Sequence, residues 1–409
     1  MKKTISILLA ILFMFSCGTA AFAADDGADP ETPAATSDLA AALEGVNTLQ
    51  FKEDGTFKIM QINDTQDTDK MNKRTKEFIR AAVKQEQPDL IVVPGDILND
   101  VFLFANAKRV KAALRNFASL LNEFKIPFAV TMGNHDHDRS DAQKVSIQEM
   151  RDIFSEYEYC IFNDGCDPFT FNIPVLDSTG TKLALNIYIM DSNNKSGLAN
   201  GYTGCYPEQV EWYKNKCDEL AALNGGEVVP SIVYQHVPVK EIYQCLEKTT
   251  VKESNNAIFS LNDYKWYKVK KEYLVGDNNV VGEAPCSETF DSPSGQYDAW
   301  VEKGDVFAAF FAHDHVNNFV MKSDDGIIMG YNGGTGFAAY GDGDKRTIRM
   351  FDFKEDDVKN FTTRTLYYRD VTGKRVRIVP IDLMSTAIFG DILRFLARMI
   401  FLTPWKGMY

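Results

Sequence analysis

At 409 residues the chain is long enough for one large α/β domain or two smaller ones. Its 45% hydrophobic and 12% aromatic content is that of a globular protein with a substantial core. A net charge of −13 argues against a nucleic-acid surface, which demands clustered Lys and Arg. An anionic substrate would have to be drawn in by local positive charge, such as bound metal ions.

Lys2 and Lys3, an apolar stretch from Ile5 to Phe15, and Ala21-Phe22-Ala23 form the pattern of a signal peptide over 1–23. Cleavage is expected after Ala23. The chain is thus expected to be exported, to a periplasmic, extracellular or cell-surface location. The apolar stretch is too short for a permanent membrane span. Phe15, where a small residue is preferred, makes Cys17 a poor lipidation site. A flexible leader is expected over 24–50, because Ala24 to Ser37 is rich in Ala, Asp, Pro and Thr without apolar period. Cleavage would leave Cys160, Cys166, Cys205, Cys217, Cys245 and Cys286. An even count in an exported chain permits disulfides, with Cys160–Cys166 the most local pair; free buried thiols are the alternative.

From Phe57 onward the pattern becomes regular. Phe57 to Ile62 reads as a strand ending in Asn63-Asp64. Lys73 to Gln87 reads as a helix stopped by Pro88, and Leu90 to Val93 as a buried strand ending in Pro94-Gly95-Asp96. Ala107 to Phe124 is a second helix, and Phe128 to Met132 a strand ending in Gly133-Asn134-His135. Leu183 to Met190 is a strand before Asp191, and a helix runs from Pro207 to about Leu223. Ser231 to Tyr234 leads into His236, Val306 to Phe311 into His313, and Gly326 to Met329 into Asn332-Gly333-Gly334-Thr335-Gly336. That last loop would bring backbone N–H groups near a phosphate or form a tight turn. Such cycles specify an α/β fold, in which ligands sit outside the carboxyl ends of strands. Residues 240–297 lack the rhythm and read as an insertion, either over the site or as a surface excursion. Residues 376–409 are expected to form an amphipathic helix, with Asp391, Arg394 and Arg398 on one face. Its apolar face would serve packing, an oligomer contact or peripheral membrane contact.

The chain has only five histidines, His135, His137, His236, His313 and His315, all in short segments beside Asp, Asn or Pro at strand ends. Asp64, Gln66, Asp96 and Asn134 stand at neighbouring strand ends. Imidazole with carboxylate is a ligand mix for Zn, Fe or Mn. A two-metal hydrolytic site needs about four ligands per ion and one bridging carboxylate. Asp64, Asp96, Asn134, His236, His313 and His315 supply that number, with Gln66 as a further donor. His135, next to Asn134, is placed to act as a general acid.

The ordered set Asp64-x-Gln66, Gly95-Asp96, Gly133-Asn134-His135-Asp136, His236 and His313-x-His315 resembles the calcineurin-like metallophosphoesterases. The likeness runs from about Phe57 to Gly341, within an expected domain over 51–375. Ala312-His313-Asp314-His315-Val316-Asn317-Asn318, with Gly334-Thr335-Gly336-Phe337 and Tyr340-Gly341, most resembles the branch related to purple acid phosphatases. The resemblance implies a double β-sandwich flanked by helices in four layers. It also implies two divalent or trivalent ions, of Mn, Fe, Zn or Mg, and a small phosphorylated substrate, either monoester or diester. In its terms Asp96 bridges the ions, Asp64 and His315 serve one, and Asn134, His236 and His313 serve the other. His135 is the acid or transition-state stabiliser. Gln66 stands where the family pattern has histidine, so a neutral amide replaces imidazole. Ala312 replaces a glycine, a mild change. The iron-ligating tyrosine of true purple acid phosphatases would fall near Asn99 and is absent. Asn99 and His137 are expected at the substrate rim.

Overall fold

Successive residues of a strand point to opposite sides, and in the central strands of this chain both sides are apolar. The computed structural model describes residues 39–99, 106–194, 201–250, 257–260, 264–276 and 278–376. The chain enters with β1 (Leu49–Gln50) and β2 (Thr56–Gln61). Helix α1 (Lys73–Glu86) starts where Asn72 accepts from the Arg74 amide, and stops at Gln87, left-handed at φ 48° ahead of Pro88. Then come β3 (Leu90–Pro94), α2 (Ala107–Asn122), β4 (Phe128–Thr131), α3 (Asn134–Gln143) and α4 (Ile147–Ser155). They are followed by β5 (Phe171–Leu176), β6 (Leu183–Met190), α5 (Pro207–Leu223) and β7 (Ser231–Gln235). A small separate sheet holds β8 (Leu246–Thr249), β9 (Ala257–Phe259) and β10 (Trp266–Val269). The chain continues through α6 (Gln296–Lys303), β11 (Val306–Phe311), β12 (Val320–Lys322), β13 (Ile328–Tyr331), β14 (Thr347–Lys354), β15 (Thr362–Tyr367) and α7 (Tyr368–Thr372).

Two large sheets result, with strand orders β1-β5-β6-β7-β11-β13-β12 and β15-β14-β2-β3-β4. Their centres are parallel: β2, β3 and β4 in one, β6, β7, β11 and β13 in the other. Ile59, Leu90, Val92 and Ala129 of one sheet pack with Ile187, Ile189, Ile232, Ala308 and Phe310 of the other. Alternate residues face outward. Met60, Ile91, Val93 and Val130 pack with Phe78, Leu114 and Phe117 of α1 and α2. Tyr188, Met190, Val233, Ala309 and Phe311 pack with Tyr213 of α5, Trp300 of α6, and Ile258 and Tyr267 of the small sheet. Each such side chain, once fully buried, contributes roughly 1.5–3 kcal/mol. The order helices, sheet, sheet, helices is the expected four-layer double β-sandwich. Among the described residues no helix is long and apolar enough to cross a membrane.

Several expectations change. The leader over 24–50 is docked from Leu39 onward. Leu39 is buried with Leu183, Leu220 and Val229, and β1 pairs with β5. The Asn47 amide donates to Asn163 Oδ1 at 2.7 Å, and Asn163 Nδ2 returns a bond to the Asn47 carbonyl at 2.9 Å. The alanines there conceal leucines that reach the core. None of the cysteines 160, 166, 205, 217, 245 and 286 is in a disulfide, so the Cys160–Cys166 pair does not form. The signal segment 1–23, the leader up to residue 38, and residues 377–409 of the C-terminal helix lie outside the described residues.

One ion pair ties the helix that follows β4 of one sheet to the end of β6 in the other. His137 Nε2 of α3 lies 2.9 Å and 3.0 Å from the two carboxylate oxygens of Asp191, the residue after β6. Burial opposes a charge on His137, but Asp191 outweighs it and raises its pKa to about 9. A pKa raised on folding stabilises fully below the unfolded value of about 6.5. The contribution is lost as pH rises through about 9. We therefore expect His137→Gln to destabilise by roughly 1.5–3 kcal/mol below pH ~6.5, the worth of a hydrogen bond to a charged group. By pH ~10 the difference should shrink towards zero. Urea unfolding of both proteins across this range checks it; a difference independent of pH would contradict the pair.

Candidate metal centre

The carboxyl ends of the parallel strands in both sheets meet at one crevice. β2 delivers Asp64 and Gln66, β3 delivers Asp96, and β4 delivers Asn134 and His135. From the other sheet β7 delivers His236, and β11 delivers His313 and His315. Backbone bonds interlock these loops. The Asp64 amide donates to the Gly95 carbonyl at 3.2 Å, the Gln66 amide to that of Asp96 at 2.9 Å, and the Ala312 amide to that of His236 at 3.1 Å. Asp136, fully buried, accepts from the amides of Ile97 at 3.1 Å, Leu98 at 2.9 Å and Gly133 at 3.0 Å. Burial and neighbouring Asp96 push the Asp136 carboxyl up to about 6. Two glycines make this contact possible. A Cβ on Gly133 would sit 2.1 Å from Asp96 Oδ1, and one on Gly95 would sit 2.3 Å from the Gly133 nitrogen. Asp64, Gln66, Asp96 and His313 all have φ between 38° and 78°. Left-handed backbone at such residues costs roughly 1–3 kcal/mol each and persists where surrounding structure imposes it.

Asp96 is the meeting point. It accepts from the His135 amide on Oδ1 at 2.9 Å and from Gln66 Nε2 on Oδ2 at 2.9 Å. His236 Nε2 lies 3.2 Å from Oδ2. Two groups of ligand atoms, each within 4.8 Å of one another, both contain Asp96: Asp64–Asp96–His315 and Asp96–His236–His313. His236 Nε2 also lies 3.2 Å from Asn134 Oδ1 and 3.1 Å from His313 Nδ1. Burial works against ionising Asp96, but the imidazoles of His236 and His135 outweigh it and hold its carboxyl well below the usual range. Burial likewise opposes charge on His236, and Asp96 lifts it to about 10. Burial and the adjacent His236 push His313 down to about 3.

The residues fit a pair of cations. His236 Nδ1 lies 2.9 Å from the Pro94 carbonyl, and His315 Nδ1 lies 2.8 Å from that of Tyr340. A carbonyl only accepts, so both rings hold a proton on Nδ1 and aim Nε2 at the site; a cation there would take the place of any Nε2 proton, the usual arrangement of metal-ligating histidine. His315 is further fixed by stacking on Tyr340, with centroids 4.1 Å apart. Asp64 Oδ1 is buried without a hydrogen-bond partner, 3.3 Å from His315 Nε2. An orphaned buried carboxylate oxygen with an imidazole nitrogen aimed at the same point is what a cation would satisfy. Gln66 departs from this pattern, because its amide nitrogen donates to Asp96 and lies 3.3 Å from His315 Nε2. Turning the amide by half a rotation would present its oxygen instead.

The structure brings together Asp64, Gln66, Asp96, Asn134, His135, His236, His313 and His315. Two expected rim residues lie elsewhere. Asn99 is 5% exposed and donates through Nδ2 to the Ala338 carbonyl at 3.0 Å. His137 is paired with Asp191 as described. Neither lines the cleft above the site, about 200 Å³ in volume. The Asn332–Gly336 loop does not turn its amides to a ligand. Gly334, Thr335 and Gly336 donate to the carbonyls of His315, Asn63 and Asp64, stitching the two sheets together. The cleft wall is formed by Tyr202, Phe259, Glu283, Ala284, Cys286 and Tyr340 with His135, His313 and Asp314, so part of the 240–297 insertion does lie over the site, though sequence reasoning named none of Tyr202, Phe259, Glu283, Ala284 or Cys286 there. Phe259, Glu283, Ala284 and Cys286 belong to the 240–297 stretch and carry no local motif. Asp136 did have a signal, since it closes Gly133-Asn134-His135-Asp136.

Residues 57–317 match the family profile of calcineurin-like phosphoesterase. The chain is similar to "Probable inactive purple acid phosphatase 14" of Arabidopsis thaliana, 26% identical over 341 residues, covering 75% of this chain and 77% of that protein. "Probable inactive purple acid phosphatase 29" of the same plant is 25% identical over 327 residues, covering 72% and 75%. A solved structure described as GAP50, the anchor in the inner membrane complex of Plasmodium, aligns with a TM-score of 0.46 at 12% identity, covering 84% of this chain and 94% of that one. With its double sandwich, its strand-end ligands and a family match over residues 57–317, the chain belongs to the calcineurin-like phosphoesterase family.

Proposed function

We propose that the protein is an exported, metal-dependent phosphoesterase. The observation that carries the catalytic part is Asp96, one carboxylate common to two groups of ligand atoms. Asp64, Asp96 and His315, with Gln66 beside them, would hold one ion. Asp96, Asn134, His236 and His313 would hold the other. When bound, such a pair supplies the positive charge that activates water and polarises a phosphoryl oxygen. His135 completes the site. Its amide fixes Asp96, and its ring, 20% exposed with Nε2 3.8 Å from Asp96 Oδ2, faces the cleft where a leaving group would sit. From there it donates a proton to the departing oxygen. Export rests on the Lys2-Lys3 and Ala21-Phe22-Ala23 pattern.

A second reading has a specific observation behind it. Gln66 donates to Asp96 where the family pattern has a histidine, and the plant relatives are named inactive. On that reading the chain is a binding protein on the same scaffold. Measuring metal content and p-nitrophenyl phosphate turnover with Mn, Fe, Zn and Mg separates the two. Two ions with turnover support the enzyme; one ion or none, without turnover, supports the binding protein.

The enzyme reading makes three further predictions. Asp96→Asn removes the shared charge, so metal content should fall and turnover vanish; wild-type turnover with two ions retained would contradict it. His135→Ala should keep its metal while turnover drops roughly 10²–10⁴-fold. The loss should be smallest for p-nitrophenyl phosphate, and an equal loss on an alkyl ester would rule out proton donation to the leaving group. Gln66→His offers imidazole to the weaker site, so metal titration should show tighter binding of borderline ions. Unchanged affinity and preference would place position 66 outside the ligand set.

A further inference from the structure

Beyond the pair around Asp96, the cleft wall holds a third group of ligand atoms: Cys286, His313 and Asp314 offer atoms within 4.8 Å of one another. It shares His313 with the Asp96–His236–His313 group but adds Cys286 and Asp314. Cys286 comes from the 240–297 stretch, and its amide donates to the Asp314 carboxylate at 3.1 Å and 3.3 Å, which docks that stretch on the His313–His315 loop. All three residues line the same cleft. Cys286 is half-buried and not in a disulfide. His313 can take part because its ring has two nitrogens, and Nδ1 already faces His236 at 3.1 Å. Asp314 has lone pairs beyond those used by the Cys286 amide.

We propose that Cys286, His313 and Asp314 form a third cation site, selective for a soft or borderline ion such as Cd²⁺ or Zn²⁺. The selectivity follows from sulfur, since the Asp96 groups offer only nitrogen and oxygen. As the sulfur–metal bond forms, the thiol releases its proton to solvent. An ion here stands on the cleft wall and draws on His313, so it closes the path to Asp96. The site is thus an inhibitory one for thiophilic metals. The inhibitory role rests on the proposed phosphoesterase reading, but the site does not, and its test reads the metal–sulfur bond itself.

The full chain is titrated with Cd²⁺ while the ultraviolet thiolate-to-metal charge-transfer band is followed. We expect one thiolate-bound equivalent, with the band lost in Cys286→Ser and kept in Cys166→Ser, the variant at the exposed cysteine. Loss of a direct ligand should weaken binding at this site by roughly tenfold or more. A second measurement uses the unaltered chain: Cd²⁺ should protect Cys286 from iodoacetamide, read by peptide mass spectrometry. A band absent from the wild type or retained in Cys286→Ser overturns the proposal. So does alkylation of Cys286 at the same rate with and without Cd²⁺.

Discussion

A carboxylate buried in protein needs compensating charge or hydrogen bonds, and Asp96, 1% exposed, is one. The structure surrounds it with the His135 amide, the Gln66 amide and the His236 ring. Each partner arrives on a different loop, so the position of Asp96 sets the position of all of them. His135 comes from the first turn of α3 and His236 from the end of β7, in opposite sheets. The sandwich must therefore hold both sheets in one alignment before Asp96 is satisfied. The apolar layer between the sheets supplies the stability, and the bonds of Asn63, Asp64 and His315 to the Gly334–Gly336 stretch fix the alignment.

The same demand explains the local strain. Left-handed backbone at Asp64, Asp96 and His313 aims their side chains into the crevice. Asp136 holds the Asp96 loop down through the amides of Ile97 and Leu98. Glycines at 95 and 133 remove the side chains that would keep the two loops apart. Loops built this way hold their side chains in place through backbone bonds and close packing. Gln66 is the residue that departs from the family pattern. Its amide nitrogen donates to Asp96, and this single side chain separates an active reading from an impaired one.

Much of this was legible in the chain. β6 and β11 have the bounds their apolar runs suggest, because strands covered on both faces read as continuous hydrophobic segments. The gathering of the candidate ligands was legible because scarce histidines followed those runs. Other elements carried no such signal. Helix α3 has no apolar face from which a period could be read; it is held by the Asp136 bonds and the His137–Asp191 pair. Strand β5 contains Pro174, which argues locally against a strand, yet it pairs with β1 and β6. His137 looked like a rim residue because its partner, Asp191, is distant in sequence. Cys286 and Glu283 reach the cleft only through tertiary docking, which no local pattern records.

The central claim is that Asp96 is shared by two ions. Electron paramagnetic resonance of the full chain loaded with Mn²⁺ tests it most directly, since ions bridged by one carboxylate couple magnetically and isolated ions do not. The account predicts a spin-coupled signal that appears with the second equivalent and disappears in Asp96→Asn. An uncoupled Mn²⁺ spectrum at full loading would contradict it.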